Sequence, residues 1–363
     1  MSDFNLADEV RRQIEQAMKK RGRVNVVVAG RSGVGKSTLI NAIFQGELAR
    51  TGQGRPVTQE AREYTKEGIP VAVLDTRGLE MKEYQETVRQ LETVVVARAR
   101  EEDAKKHLHV AWVCISEDSR RVEDGEIAVA RMLSGHMPVI AVITKARSDT
   151  GFTREVADLL SFARNVIRIR AIRETDDDGH VKEPKGLVDL VDVTMEVVPE
   201  AQRNAFAAAQ RVSTKAKGAR AHLVVMGAAT AAAAAGVTPI PFADAILIVP
   251  IQIGMLAGIS AVFGLSLSQA FLSTLLSSTG GGLAATLSGR SIVSGLLKLI
   301  PGVGTVAGGA ISAATAASIT TLFGEAYIAV LSRLFSANDG DAPSDEEIAS
   351  AFTEELARHQ RGA

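Results

Sequence analysis

Aromatic side chains are scarce in this 363-residue chain, at 4% of the total, and Trp112 is the single tryptophan. The basic set Arg164, Arg168, Arg170 and Arg173 therefore has no interleaved aromatics and reads as a solvated face, so a nucleic-acid partner is not expected. Cysteine is nearly absent. Cys114 has no partner for an internal disulfide, and it falls inside an apolar run, which suits a core position in a reducing compartment. A formal net charge of −1 gives no global pull toward nucleic acid or acidic lipid. The first twenty residues, MSDFNLADEVRRQIEQAMKK, lack the apolar run and small-residue cleavage site of a secretory signal, so the charged half is expected to face the cytosol. His107 and His109 lack the cysteine or carboxylate spacing that a metal site would need.

Charge is distributed unevenly. Between residues 221 and 335 the only acidic, basic or histidine side chains are His222, Asp244, Arg290, Lys298, Glu325 and Arg333. That break places a domain boundary near residue 218. The expected layout is an amphipathic helix over 1–22, an α/β domain over 23–200, a connecting helix over 201–220, an apolar helical domain over 221–335, and an acidic linker with a short helix over 336–363. On the first helix Leu6, Val10, Ile14 and Met18 share one stripe, which predicts packing against a domain. Ser344 and Glu347 have the spacing of a capping box ahead of the last helix.

Between residues 24 and 172, short β-branched runs alternate with helix-compatible stretches: VNVVVA, VAVLDT, HVAWVCIS, PVIAVIT and NVIRIRAI. Near-continuous apolar strands of this kind predict a mostly parallel, doubly wound sheet covered on both faces. REYTKEG, just before VAVLDT, predicts an antiparallel edge strand joined through a turn at Gly68–Ile69–Pro70.

The chemistry concentrates at the end of the first run. Gly30, Arg31, Ser32, Gly33, Val34, Gly35, Lys36, Ser37 and Thr38 form a G-x-x-x-x-G-K-S-T loop directly after a strand and before a helix. Glycines let successive amides curl around a phosphate, and the helix start adds its positive dipole end. Lys36 supplies charge for the outer phosphates, and Ser37 is placed to ligate Mg2+. VAVLDTRG ends a strand in Asp75-x-x-Gly78, where the carboxylate can hold the magnesium shell and the Gly78 amide can sense a γ-phosphate. Thr58, in GQGRPVTQEARE between these motifs, is the candidate to reach over the metal as a switch.

VVVAGRSGVGKSTLINAIF, RPVTQ and VAVLDTRGLE resemble the Era-like, translation-factor-related GTPases over roughly residues 20–200. The resemblance implies binding of GTP and GDP with Mg2+ and slow hydrolysis, with Lys36, Thr58 and Gly78 in catalysis and Ser37, Thr58 and Asp75 around the metal. Leu79 follows Gly78 where Ras-like members carry a catalytic glutamine. Gly33 stands where potassium-activated members carry asparagine. The family reads guanine with [NT]KxD, and here Thr144-Lys145-Ala146-Arg147 puts an arginine at the aspartate position. A guanidinium accepts no hydrogen bond. Either Asp149 substitutes through a loop that folds back, or it does not. Lys145 would cover the base plane and Ala171 would offer a backbone amide to it.

Residues 245–289 carry no Asp, Glu, Lys or Arg, more than double the ~20 positions that one helix needs to cross a bilayer. The Gly/Ala/Ser content of PGVGTVAGGAISAATAASITTLFG suits close helix packing in lipid. Against spanning stand Pro239, Pro241, Pro250 and Pro301, expected to interrupt helices, and the polar Asp244 and Gln252. TPIPFADAILIVPIQIGMLAGISAVFG and LLKLIPGVGTVAGG resemble an uncharacterised bacterial domain fused to GTPases and regarded as membrane-associated. The combined expectation is a GTP-hydrolysing switch at the cytoplasmic face of a membrane, contacting lipid through 221–335 and capable of homo-oligomerisation. The rivals are a dynamin-like or immunity-related remodeller and a non-hydrolysing, nucleotide-binding scaffold.

Overall fold

In the computed structural model of the chain, the described residues are 6–51, 53–56, 61–76, 84–175, 177–236, 243–268, 271–272, 275 and 313–361. The chain divides into two compact units, Gly22–Ser213 and a second that joins Met1–Arg21 to Thr214–Ala363.

The first unit is built on a seven-stranded sheet in the order β2-β3-β4-β1-β5-β6-β7. Its parallel part comprises β4 (Ile69–Thr76), β1 (Val24–Ala29), β5 (Val110–Ser116), β6 (Val139–Thr144) and β7 (Asn165–Arg168). The antiparallel strand read from REYTKEG is β3 (Ala61–Lys66), but it is not the edge, because β2 (Gln53–Pro56) pairs outside it. Its turn lies at Glu67–Gly68, one position earlier than expected, with Gly68 at φ +82°. The run expected over 165–172 stops as a strand at Arg168.

Every residue of β1, β5 and β6 is buried, which is why these runs carry no polar alternation. Successive side chains go to opposite faces. Val27, Ala29, Ala111, Val113 and Ile115 join one core with Leu91, Val129 and Val156 of α4 (Tyr84–Ala99), α5 (Asp124–Ser134) and α6 (Phe152–Leu159). Trp112 turns the other way. It stacks on Phe44, just past α2 (Lys36–Ile43), with centroids 5.7 Å apart, and meets Phe206 of α8 (Glu200–Ala209) edge-on. Its indole N–H donates to Thr194 Oγ1 of α7 (Leu187–Val197) at 3.1 Å.

Smaller elements of the unit include α3 (Leu48–Thr51) and a hairpin of β8 (Glu174–Thr175) with β9 (Val181–Lys182). The region read as one connecting helix over 201–220 is broken at Gln210–Ser213. There the Gln210 side chain accepts from Ser213 N at 2.7 Å and donates to Ser213 O at 2.8 Å, replacing the helical bonds. The end of α8 is laced to the end of α2: Arg211 N donates to Ile43 O at 2.8 Å, and Gln45 N donates to Ala209 O at 3.0 Å.

The second unit is helical, with α1 (Leu6–Arg21), α9 (Thr214–Gly236), α10 (Ala243–Phe263), α11 (Ala313–Ala337) and α12 (Asp345–Arg361) among the described residues. On α1, Val10 and Ala17 are buried while Met18 is exposed, so the inner stripe is shifted from the one read in the sequence. The helix α10 runs through Pro250 without stopping there, contrary to the expected interruption. The expected breaks at Pro239, Pro241 and Pro301 lie outside the described residues, as does all of 276–312.

Helices approach closely at glycines. A Cβ at Gly258 would come within 2.8 Å of Val224, and one at Gly324 within 2.6 Å of Val225. Polar bonds join α10 to α11: Gln252 Nε2 donates to Thr320 Oγ1 at 2.7 Å, and Ser260 bonds Tyr327 at 2.8 Å. The buried Lys217 donates to the carbonyl of Phe263, the last residue of α10, and lies over the Phe335 ring. The capping box at Ser344 and Glu347 is formed, with Glu347 N to Ser344 Oγ at 3.2 Å and Ser344 N to Glu347 Oε2 at 2.8 Å. Among the described residues, α11 alone is long and apolar enough to cross a bilayer, and 56% of its most apolar window is buried within the protein.

Candidate functional site: a phosphate cradle at the tip of β1

The cradle follows from the register of two neighbouring strands. Val28 of β1 pairs with Asp75 of β4, so the loop after Ala29 begins beside that carboxylate. Gly30 takes φ +148°, and a Cβ there would lie 2.5 Å from the Cys114 carbonyl oxygen. Only glycine lets the chain pass β5 so closely. Gly33 and Gly35 take φ +74° and +101°, and Gly35 forms the N-cap of α2 in the left-handed region. The loop is held from β6, where Thr144 Oγ1 donates to Val34 O at 2.6 Å.

Lys36 is buried, and its Nζ donates to Gly30 O at 2.8 Å and Arg31 O at 3.0 Å. The ammonium thus bridges the loop's own carbonyls. Ser32, Gly33, Ser37 and Thr38 are exposed around it. Arg31 reaches across to Glu123 at 3.2 Å, and Glu123 forms a capping box with Glu126 at the start of α5.

Asp75 is 8% exposed, and burial raises its pKa from 3.8 to about 6 against the opposing pull of Lys36 and then Arg62. Its Oδ1, with Thr76 Oγ1 and Ser116 Oγ, is buried without a hydrogen-bond partner among the described residues. Orphaned oxygens beside a phosphate loop fit a hard cation, for which oxygen is the preferred ligand. Ser37, exposed in the first turn of α2, completes the described part of that donor set. Thr58 and Gly78 lie outside the described residues, as does Leu79.

The end expected from the sequence to meet a base is formed by the loops after β5, β6 and β7. Ala146 N donates to Ile169 O at 3.0 Å, and Arg170 Nε to Ala146 O at 3.2 Å, bringing Thr144 and Lys145 next to the segment that holds Ala171. Lys145 adopts φ +54° and places Nζ 3.6 Å from Asp118 Oδ2. Asp149 does not fold back toward this edge. Its Oδ1 accepts from Gly151 N at 3.1 Å and Thr153 N at 3.4 Å, which satisfies amides at the start of α6.

Glu117 was not singled out in the sequence. It is 2% exposed, accepts from Arg168 at 2.7 and 2.9 Å, and takes the backbone N–H of Arg147 at 3.2 Å. Arg120 braces the same loop through Thr150 Oγ1 at 2.8 Å and Ser148 O at 3.2 Å. An acid directly after an apolar strand, with arginines in the facing runs, was the available signal.

Two regions of the chain match known families. Residues 25–145 match a family described as 50S ribosome-binding GTPase, and residues 200–358 match one described as Domain of unknown function (DUF697). The tRNA modification GTPase MnmE of Acidovorax sp. (strain JS42) is 32% identical over 142 residues, covering 37% of this chain and 28% of that protein. Its counterpart in Burkholderia ambifaria (strain MC40-6) is 35% identical over 131 residues, covering 34% and 26%. The chain thus spans under a third of the length of these relatives. Toc33 from Arabidopsis thaliana, solved with Mg2+ and GMPPNP, aligns at TM-score 0.34 and 17% identity, covering 54% of this chain and 93% of that one. The chain carries a P-loop GTPase domain on a mostly parallel sheet, followed by a helical domain of unknown function.

Proposed function

We propose that the α/β unit binds GTP with Mg2+ and hydrolyses it to GDP and phosphate, as a nucleotide-state switch at the cytoplasmic face of a membrane. The observation that carries this reading is the buried Asp75 Oδ1, without a hydrogen-bond partner among the described residues, beside a glycine loop whose lysine is already seated. Ser37, Asp75 and Thr58 would hold Mg2+, which when bound neutralises charge on the outer phosphate oxygens. Lys36 supplies the ammonium, the loop amides orient the γ-phosphate, and the Gly78 amide senses its presence. Rate enhancement comes from preorganised dipoles and charge around the transferring group. Full-length protein incubated with GTP and Mg2+ is expected to release phosphate slowly; absence of both binding and release would overturn the reading.

The membrane part of the reading draws support from the uncharged run 245–289 and from Leu223, Met226 and Leu322, which are large, apolar and exposed on α9 and α11. Co-flotation of the full chain with vesicles of phosphatidylethanolamine and phosphatidylglycerol tests it. A chain that stays at the bottom of the gradient while still hydrolysing GTP would remove the membrane and leave the switch.

A further inference from the structure

We infer that this site does not read the 2-amino group of guanine, and that it takes inosine and guanosine triphosphates alike. The inference rests on the proposed nucleotide site and names its base specificity. Guanine presents two donors along one edge, N1–H and the 2-amino group, and an acceptor at O6. Hypoxanthine differs only in lacking the amine. A site that discriminates between them needs an acceptor facing that amine, and a carboxylate supplies two.

Three carboxylates lie near the base end, and each has other work. Glu117 is buried and committed to Arg168 and the Arg147 amide. Asp149 holds the amides of Gly151 and Thr153. Asp118 is paired with Lys145. The loop that would have to move to free Asp149 is fixed at both ends, by Arg120 on Ser148 and Thr150 and by Arg170 on Ala146. Residue 147 is an arginine whose side chain is exposed and has no hydrogen-bond or ion-pair partner among the described residues. Its guanidinium offers only donors, and a donor set against N1–H and the amine gains nothing from either.

The size of the effect separates the two cases. A site built to hydrogen-bond a substrate group rejects the analogue lacking it by about 10⁴-fold. Where nothing bonds that group, its loss costs little.

The test is displacement of ribose-labelled methylanthraniloyl-GTP from the full-length protein by unlabelled GTP or ITP, with Mg2+ present. The expected wild-type affinities differ by less than fivefold, and Arg147→Asp shifts the ratio at least tenfold toward GTP. Arg147→Ala, which adds no acceptor, is expected to keep the wild-type ratio, so a poorly folding aspartate variant does not stall the experiment. A wild-type preference for GTP of fivefold or more overturns the inference, and its loss in Asp118→Asn or Asp149→Asn would identify the carboxylate that reads the base. Labelled nucleotide that never binds, or binds equally to Lys36→Ala, would instead sink the nucleotide-site reading itself.

Discussion

The ammonium of Lys36 lies 2.8 Å from the carbonyl oxygen of Gly30, six residues earlier in the chain, so the cation that would meet the outer phosphates is seated by the loop's own backbone. Lys36→Ala removes that charge and leaves sheet and helix packing untouched. Phosphate release is expected to fall by at least about 100-fold, in the range typical for one electrostatic donor. The melting temperature should move by no more than a few degrees. Unchanged turnover would refute the role of the lysine.

Asp75 gives a pH dependence whose sign follows from its surroundings. Burial raises the carboxyl from 3.8 to about 6 in the native protein, so ionisation is disfavoured by folding. The native unit is then best served by this group below pH 3.8, and it loses about 3 kcal/mol as pH rises through 6. Asp75→Asn should flatten that part of the stability curve. For Mg2+ the sign reverses, because the metal needs the carboxylate: affinity should rise about tenfold per pH unit up to roughly 6 and then level off. Calorimetric Mg2+ titrations between pH 5 and 7.5 that show a flat profile would exclude Asp75 from the metal shell.

Two glycines of the same loop should respond differently to one methyl group. Gly30→Ala puts a Cβ 2.5 Å from a backbone oxygen that cannot step aside, whereas Gly33→Ala meets nothing within 4 Å and faces only the strain of φ +74°. The expected loss is about 1 kcal/mol at Gly33 and at least twice that at Gly30. Urea unfolding of both variants checks the ordering, and equal losses would show that the loop can withdraw from β5.

Trp112 reports on its own environment, being the single tryptophan of the chain. Thr194→Val leaves the indole N–H without its partner inside an aromatic cluster. The cost should be about 1–3 kcal/mol, the usual range for a buried donor left unpaired. Unfolding followed by tryptophan emission measures it directly. A loss below about 0.3 kcal/mol would mean that water reaches the ring.

What could be read ahead of the structure was whatever depends on local spacing. The glycine loop, the apolar strands and the capping box at Ser344 and Glu347 are each set by residues a few positions apart. The capping box at Glu123 escaped notice because a glutamate stands there in place of the usual serine or threonine. β2 escaped because GQGRP has no apolar alternation; its pairing with β3 is decided by a neighbour in space. The use of Asp149 was undecidable for the same reason, since only the start of α6 shows which amides it serves. Grouping α1 with the C-terminal helices depends on contacts across more than 200 residues, which no periodicity encodes.

The lacing of residues 209–211 to the end of α2 has a mechanical meaning. The helix that follows the glycine loop is clasped at its far end to Arg211, just before Ser213, where one folding unit hands over to the next. If the loop reorders with nucleotide as proposed, this clasp would keep the chain leaving the α/β unit in register with α2.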